Sequence, residues 1–117
     1  MSDLLLLHNP RCSKSRGALE ILQQHNIEPT IVRYLDEPLD AKAIAALLIK
    51  LGISPRELLR TGEEAYKNLN LADPSVSDAA LIAAMTEHPK LIERPIFIAG
   101  DRAVIGRPPE RVLELLA

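Results

Sequence analysis

Leu4-Leu5-Leu6-Leu7-His8-Asn9-Pro10-Arg11-Cys12-Ser13-Lys14-Ser15-Arg16 is the stretch that decides how the chain is read. Four successive leucines, halted by His8, Asn9 and Pro10, predict a short strand buried on both faces, because the run is brief and turn residues follow it at once. Beyond the turn the period changes. Ala18, Leu19, Ile21 and Leu22 recur at helical spacing, which predicts a helix from about Ser13 to His25 with Asn26 as terminator. Cys12 therefore falls between a strand end and a helix start. Thr30 to Leu35, with Ile31, Val32 and Tyr34 ahead of the Asp36-Glu37-Pro38 turn, reads as a second strand. Strand, helix, strand in that order favours a parallel pair with a right-handed crossover.

The next stretch is helical. Asp40 can cap a helix whose apolar face is Ile44, Leu47, Leu48 and Leu51, closed by Gly52. Ser54 followed by Pro55 opens a short helix, Glu63 to Leu69 supplies one or two more turns, and Ser77 opens another helix through Leu81, Ile82 and Met85. Ile96 to Ala99, Gly100-Asp101 and Ala103 to Ile105 form a hairpin signal. Pro108 and Pro109 then start a terminal helix bearing Val112, Leu113, Leu115 and Leu116, whose apolar side must cover the sheet. The expected fold class is α/β: a thioredoxin-like four-stranded mixed sheet, with a helical insert between the second and third strands.

Length and composition bound this reading. A chain of 117 residues can build one core but not comfortably two, so residues 1–117 are expected to form a single domain. With 47% apolar and 26% charged residues it has the balance of a folded protein. A formal net charge of −2 argues against a nucleic-acid or anionic-lipid surface, so any anion site must be local. Apolar stretches such as Ala43 to Ile49 are far short of the roughly 20 residues that span a membrane. Met1 to Leu7 carries no basic leader or cleavage site. One cysteine permits no internal disulfide and leaves no resolving thiol, and the expected compartment is the reducing cytoplasm. No metal site is expected, because Cys12, His8, His25 and His88 lack ligand spacing. His25 and His88 read as helix-end residues.

Chemistry concentrates at Cys12. A helix N-terminus presents free N–H groups and the positive end of the dipole. Together with nearby cations it can lower a cysteine pKa from about 8.5 to roughly 3.5–7.5. Arg11, Lys14 and Arg16 are the neighbouring cations, and such polar flanks disfavour the buried, inert cysteine that is otherwise common. Ser13 and Ser15 can cap the helix or hydrogen-bond a sulfur anion or an oxyanion. His8 can influence the thiol directly or through a short network.

The run His8 to Arg16 resembles the active-site loop of the glutaredoxin-coupled arsenate reductases. The likeness continues through Leu59-Arg60-Thr61-Gly62-Glu63, Glu93-Arg94-Pro95-Ile96 and Ile105-Gly106-Arg107-Pro108-Pro109. The resemblance implies that Cys12 attacks arsenate and that Arg60, Arg94 and Arg107 surround the oxyanion, for which forked guanidinium donors are suited. It further implies that no cofactor is held, that glutathione and glutaredoxin bring the electrons, and that the Arg94–Pro95 bond is cis. A monomer without nucleic-acid or membrane partners is expected. Arg33, Arg56, Arg102 and Arg111 are read as solvated surface residues.

Two rival functions share this fold. A related branch consists of regulators that bind RNA polymerase and sense oxidants through two cysteines spaced three apart, but here the second position is Ser15. The nearer rival is a glutathione-linked thiol oxidoreductase of another substrate, since Arg11 and Lys14 depart from the small neutral residues of the best-known arsenate reductases.

Overall fold

The computed structural model describes residues 4–116. The leaderless reading of Met1 to Leu7 thus lies, for its first three residues, outside the described residues. Two compact units divide the chain: Met1–Glu37 with Arg94–Ala117, and Pro38–Glu93.

The first unit is a sheet with helical cover. Its elements are β1 (Leu4–Leu7), α1 (Ser13–Gln24), β2 (Thr30–Val32), β3 (Ile96–Ala99), β4 (Arg102–Ile105) and a 3-10 helix, Pro109–Leu115. The four strands lie in the order β2-β1-β3-β4, with β1 and β2 parallel and the other pairs antiparallel. Register fixes the core. Leu6 stands opposite Phe97, and Phe97 opposite Val104, so these three side chains leave the same face of the sheet. Ala18 and Leu22, one helical turn apart on α1, and Val112 of the 3-10 helix complete a buried cluster with them. His25 caps α1, its Nδ1 3.0 Å from the Ile21 carbonyl, and Asn26 turns away at φ +62°.

The second strand and the terminal segment differ from those expected. The second strand ends at Val32 rather than Leu35, because the Arg33 carbonyl accepts from both Asp36 and Glu37 N–H groups at 2.9 Å and closes a turn there. Tyr34, expected on that strand, is instead fully buried beyond it. The terminal segment is a 3-10 helix: the Pro108 carbonyl takes the Arg111 N–H three residues on, at 3.0 Å.

The second unit is helical and falls in chain order between β2 and β3. It comprises α2 (Ala41–Leu51), α3 (Pro55–Leu58), α4 (Glu64–Asn68), α5 (Asp78–Glu87) and a 3-10 turn, Pro89–Leu91. Its ends are chemically specified. Asp40 Oδ1 accepts from Ala43 N–H at 2.8 Å, Gly52 terminates α2 at φ +69°, and Ser77 Oγ accepts from Ala80 N–H at 3.1 Å. Ile44, Leu47, Leu58, Leu81, Met85 and Leu91 are buried within it.

Arg56 overturns a surface reading. Its guanidinium donates to the carbonyls of Leu71 (2.7 Å), Asp73 (3.2 Å) and Val76 (3.5 Å), satisfying the irregular backbone before α5. Among the described residues no helix is long and apolar enough to cross a membrane.

Candidate active site

The loop between β1 and α1 is folded around Asn9. Its carbonyl accepts from Cys12 N–H and its Oδ1 from Arg11 N–H, both at 3.0 Å, while its own N–H donates to Ser15 Oγ at 3.0 Å. His8 N–H still donates to the Val32 carbonyl at 3.0 Å, so the loop leaves the sheet only after His8. Arg16 braces it from the helix side, donating from Nη1 to the Pro10 carbonyl at 2.9 Å.

Cys12 thereby becomes the N-cap of α1, with extended backbone at φ −95° and ψ 124°. Its thiol is partly exposed and lies outside the aliphatic cluster. Burial acts to raise its pKa. The Ser15 N–H, a hydrogen bond from the Arg94 side chain, the Lys14 N–H and the Arg94 charge act the other way, and the net result is a thiol held below its ordinary value. The N–H groups act here without closing a well-aligned side-chain cap. The cation that matters is Arg94, distant in sequence, and not the flanking Arg11, Lys14 or Arg16.

Strand pairing delivers Arg94. Ile96 pairs with Ile105, so the residues just before β3 meet those just after β4. Gly106 N–H donates to the Pro95 carbonyl at 2.8 Å, and Arg107 Nη1 reaches the Arg94 carbonyl at 3.4 Å. Gly106 must be small, since a Cβ there would lie 3.0 Å from Pro95 Cγ and 3.2 Å from Val112 Cγ1. Pro95 is buried. The Arg94–Pro95 bond is cis as expected, and Arg107–Pro108, which no motif announces, is cis also.

Among the described residues, His8 and Ser15 are the buried polar ones of this unit. Their side chains meet, Ser15 Oγ lying 2.6 Å from His8 Nδ1. The Ser15 hydroxyl thus bonds Asn9 and His8, while its N–H acts on Cys12. Burial lowers the His8 pKa, and the charges of Arg33 and Arg16 lower it further, so the ring is neutral at neutral pH. Ser13 is exposed on the first turn.

Arg60 belongs to the second unit. Its N–H donates to the Leu91 carbonyl at 2.8 Å, beside the antiparallel bridge Leu59–Ile92. Its guanidinium stands between Glu63 and Glu93, each 3.6 Å away.

A four-stranded mixed sheet, a cysteine at the N-terminus of the first helix and a cis proline at the head of β3 define a thioredoxin-like α/β protein. The sequence model of the ArsC family matches residues 7–115. The arsenate reductase of Haemophilus influenzae is 47% identical over 97% of this chain and 99% of that protein. The uncharacterized protein YfgD of Escherichia coli K12 is 54% identical over 95% and 94%. The solved arsenate reductase of Vibrio cholerae superposes with a TM-score of 0.93 at 47% identity, covering 95% of each chain. The chain belongs to the ArsC family.

Proposed function

We propose that the chain is an arsenate reductase in which the Cys12 thiolate attacks arsenic and external thiols return the enzyme to its starting state. The observation that carries this reading is the partly exposed sulfur at the head of α1, its pKa lowered by helix N–H groups and by the Arg94 side chain. The ArsC relatives named arsenate reductase supply the substrate.

Arg94 and Arg107 offer forked cationic donors to a tetrahedral oxyanion, and family resemblance gives Arg60 the same role. With its charge offset, arsenate admits an anionic sulfur. A sulfur–arsenic bond forms, and one arsenate oxygen leaves as water after taking up protons. Two electrons are still required to convert arsenic(V) to arsenic(III). The chain's single cysteine cannot supply them alone, so two outside thiol equivalents are consumed and leave as a disulfide. Glutathione and glutaredoxin are the proposed donors, arsenite is the product, and no cofactor is held. His8, Ser13, Ser15 and Pro95 support the loop. The active species is proposed to be a cytoplasmic monomer, residues 1–117 acting as one domain.

Cys12→Ser tests the proposal. Arsenate-dependent oxidation of glutathione should fall to background, and substantial remaining turnover would place the nucleophile elsewhere. A glutathione-linked oxidoreductase of another substrate is the second reading, favoured by Arg11 and Lys14 beside the thiol. Turnover with disulfides exceeding turnover with arsenate would select it.

A further inference from the structure

Backbone pairing fixes which side chains accompany Arg60. Its N–H donates to the Leu91 carbonyl at 2.8 Å and the Glu93 N–H donates to the Leu58 carbonyl at 2.9 Å, the two bonds that flank the antiparallel pair Leu59–Ile92. Leu59 and Ile92 are buried. Side chains alternate along such a pairing, so Arg60 and Glu93 leave its opposite face together. The turn after Arg60 brings in Glu63, whose N–H donates to the Arg60 carbonyl at 3.4 Å and whose side chain makes no cap bond to α4. All three side chains are partly exposed and belong to the second unit. Their contacts are not those of a closed ion pair. Arg60 Nη1 lies 3.6 Å from Glu63 Oε2, and Nε lies 3.6 Å from Glu93 Oε1, both beyond hydrogen-bond reach. Nη1 is nonetheless buried, and it has no hydrogen-bond partner. The guanidinium thus keeps a donor ready for an acceptor, while two carboxylates stand against its one charge.

We infer that Glu63 and Glu93 make Arg60 selective for tetrahedral oxyanions that carry a hydrogen, and turn away fully ionised ones. The inference rests on the oxyanion role given to Arg60 above and deepens it by naming the residues that choose among oxyanions. A carboxylate only accepts hydrogen bonds. Beside it, an anion with an O–H can donate to the carboxylate while another of its oxygens accepts from Arg60. Arsenate and phosphate keep such a hydrogen at neutral pH. Sulfate has none, so it meets the same carboxylates with repulsion alone, and the discrimination comes from an unfavourable contact with the wrong ligand.

The test measures Kd for inorganic phosphate, arsenate and sulfate in the full-length chain, in the double variant Glu63→Gln, Glu93→Gln, and in Glu64→Gln. Binding is read as protection of Cys12, the chain's one cysteine, from the uncharged alkylating agent iodoacetamide at neutral pH and fixed ionic strength. The concentration of anion that gives half protection is independent of the intrinsic alkylation rate, so a changed thiol pKa is not mistaken for recognition. Glutamine keeps the shape of glutamate and removes its charge. Glu64, exposed one residue further on, controls for net charge alone. The wild-type chain should prefer phosphate and arsenate to sulfate, and the double variant should lose about tenfold of that preference, chiefly by binding sulfate more tightly. Glu64→Gln should leave the preference as it was. The inference is overturned by a wild-type chain without preference, by an unchanged preference in the double variant, by weakening of all three anions in parallel, or by an equal shift in Glu64→Gln. Any of these leaves arsenate reduction standing. Selectivity as expected without arsenate turnover overturns the functional reading and keeps the inference, whereas protection by none of the anions overturns both.

Discussion

Arg94→Ala removes from Cys12 both a hydrogen bond and a full positive charge, while the N–H groups of Ser15 and Lys14 stay in place. The thiol should therefore titrate closer to its ordinary value, and its alkylation rate at neutral pH should fall by roughly tenfold for each pH unit by which the midpoint rises. A titration of thiolate absorbance checks this, and an unmoved midpoint would assign the lowering to the helix alone. Sequence suffices to place Cys12 at the helix start, because the change from continuous apolar residues to helical spacing falls there. It does not reveal the cation. Adjacency points to Arg11, Lys14 and Arg16, yet a helix N-terminus sends successive side chains in different directions, and the nearest charge comes from the approach to another strand. Arg56 looks like a surface residue for the same reason: its three carbonyl acceptors lie 15 to 20 residues onward. Arg56→Ala strands those acceptors and should lower stability by about 1.5–3 kcal/mol in urea unfolding.

At the scale of elements, the hairpin β3–β4 does most to assemble the site. Its register joins Pro95 to Gly106, and Gly106 lies under the 3-10 helix against Val112. Gly106→Ala pushes a methyl group into contacts of 3.0 and 3.2 Å against a proline ring and a buried valine, neither of which yields easily. The expected cost is about 1–3 kcal/mol, measured by denaturant unfolding, together with a raised Cys12 pKa as Arg94 is displaced. A variant of unchanged stability and pKa would show that the packing adjusts. Most helix limits are legible in the sequence because caps are local chemistry: Asp40, Gly52, Ser54 and Ser77 act on groups close by in the chain. The end of β2 is not legible. Tyr34 has the pattern of a strand residue, and only the turn on the Arg33 carbonyl shows that pairing has stopped.

For the folded chain as a whole, His8 sets a dependence on acid. Its pKa in the folded state lies below the ordinary 6.5, so the unfolded chain binds a proton first as pH falls. The stability it contributes is complete above about 6.5 and is lost as pH drops toward the lowered value. The urea midpoint should fall between pH of about 7.5 and about 5.5, and His8→Gln should flatten that fall; parallel curves would mean that other groups carry it. Sequence alone determined the order of elements, the caps, the place of Cys12 at the start of the first helix and, through four separated motifs, the family, since each depends on residues close together in the chain or on recognisable runs. The tertiary structure decided that Arg94 and Arg107 meet at one end of the hairpin, that His8 and Ser15 share a buried bond, and that Arg56 is a brace. Those facts depend on strand register and on burial, which bring together atoms that the chain itself keeps far apart.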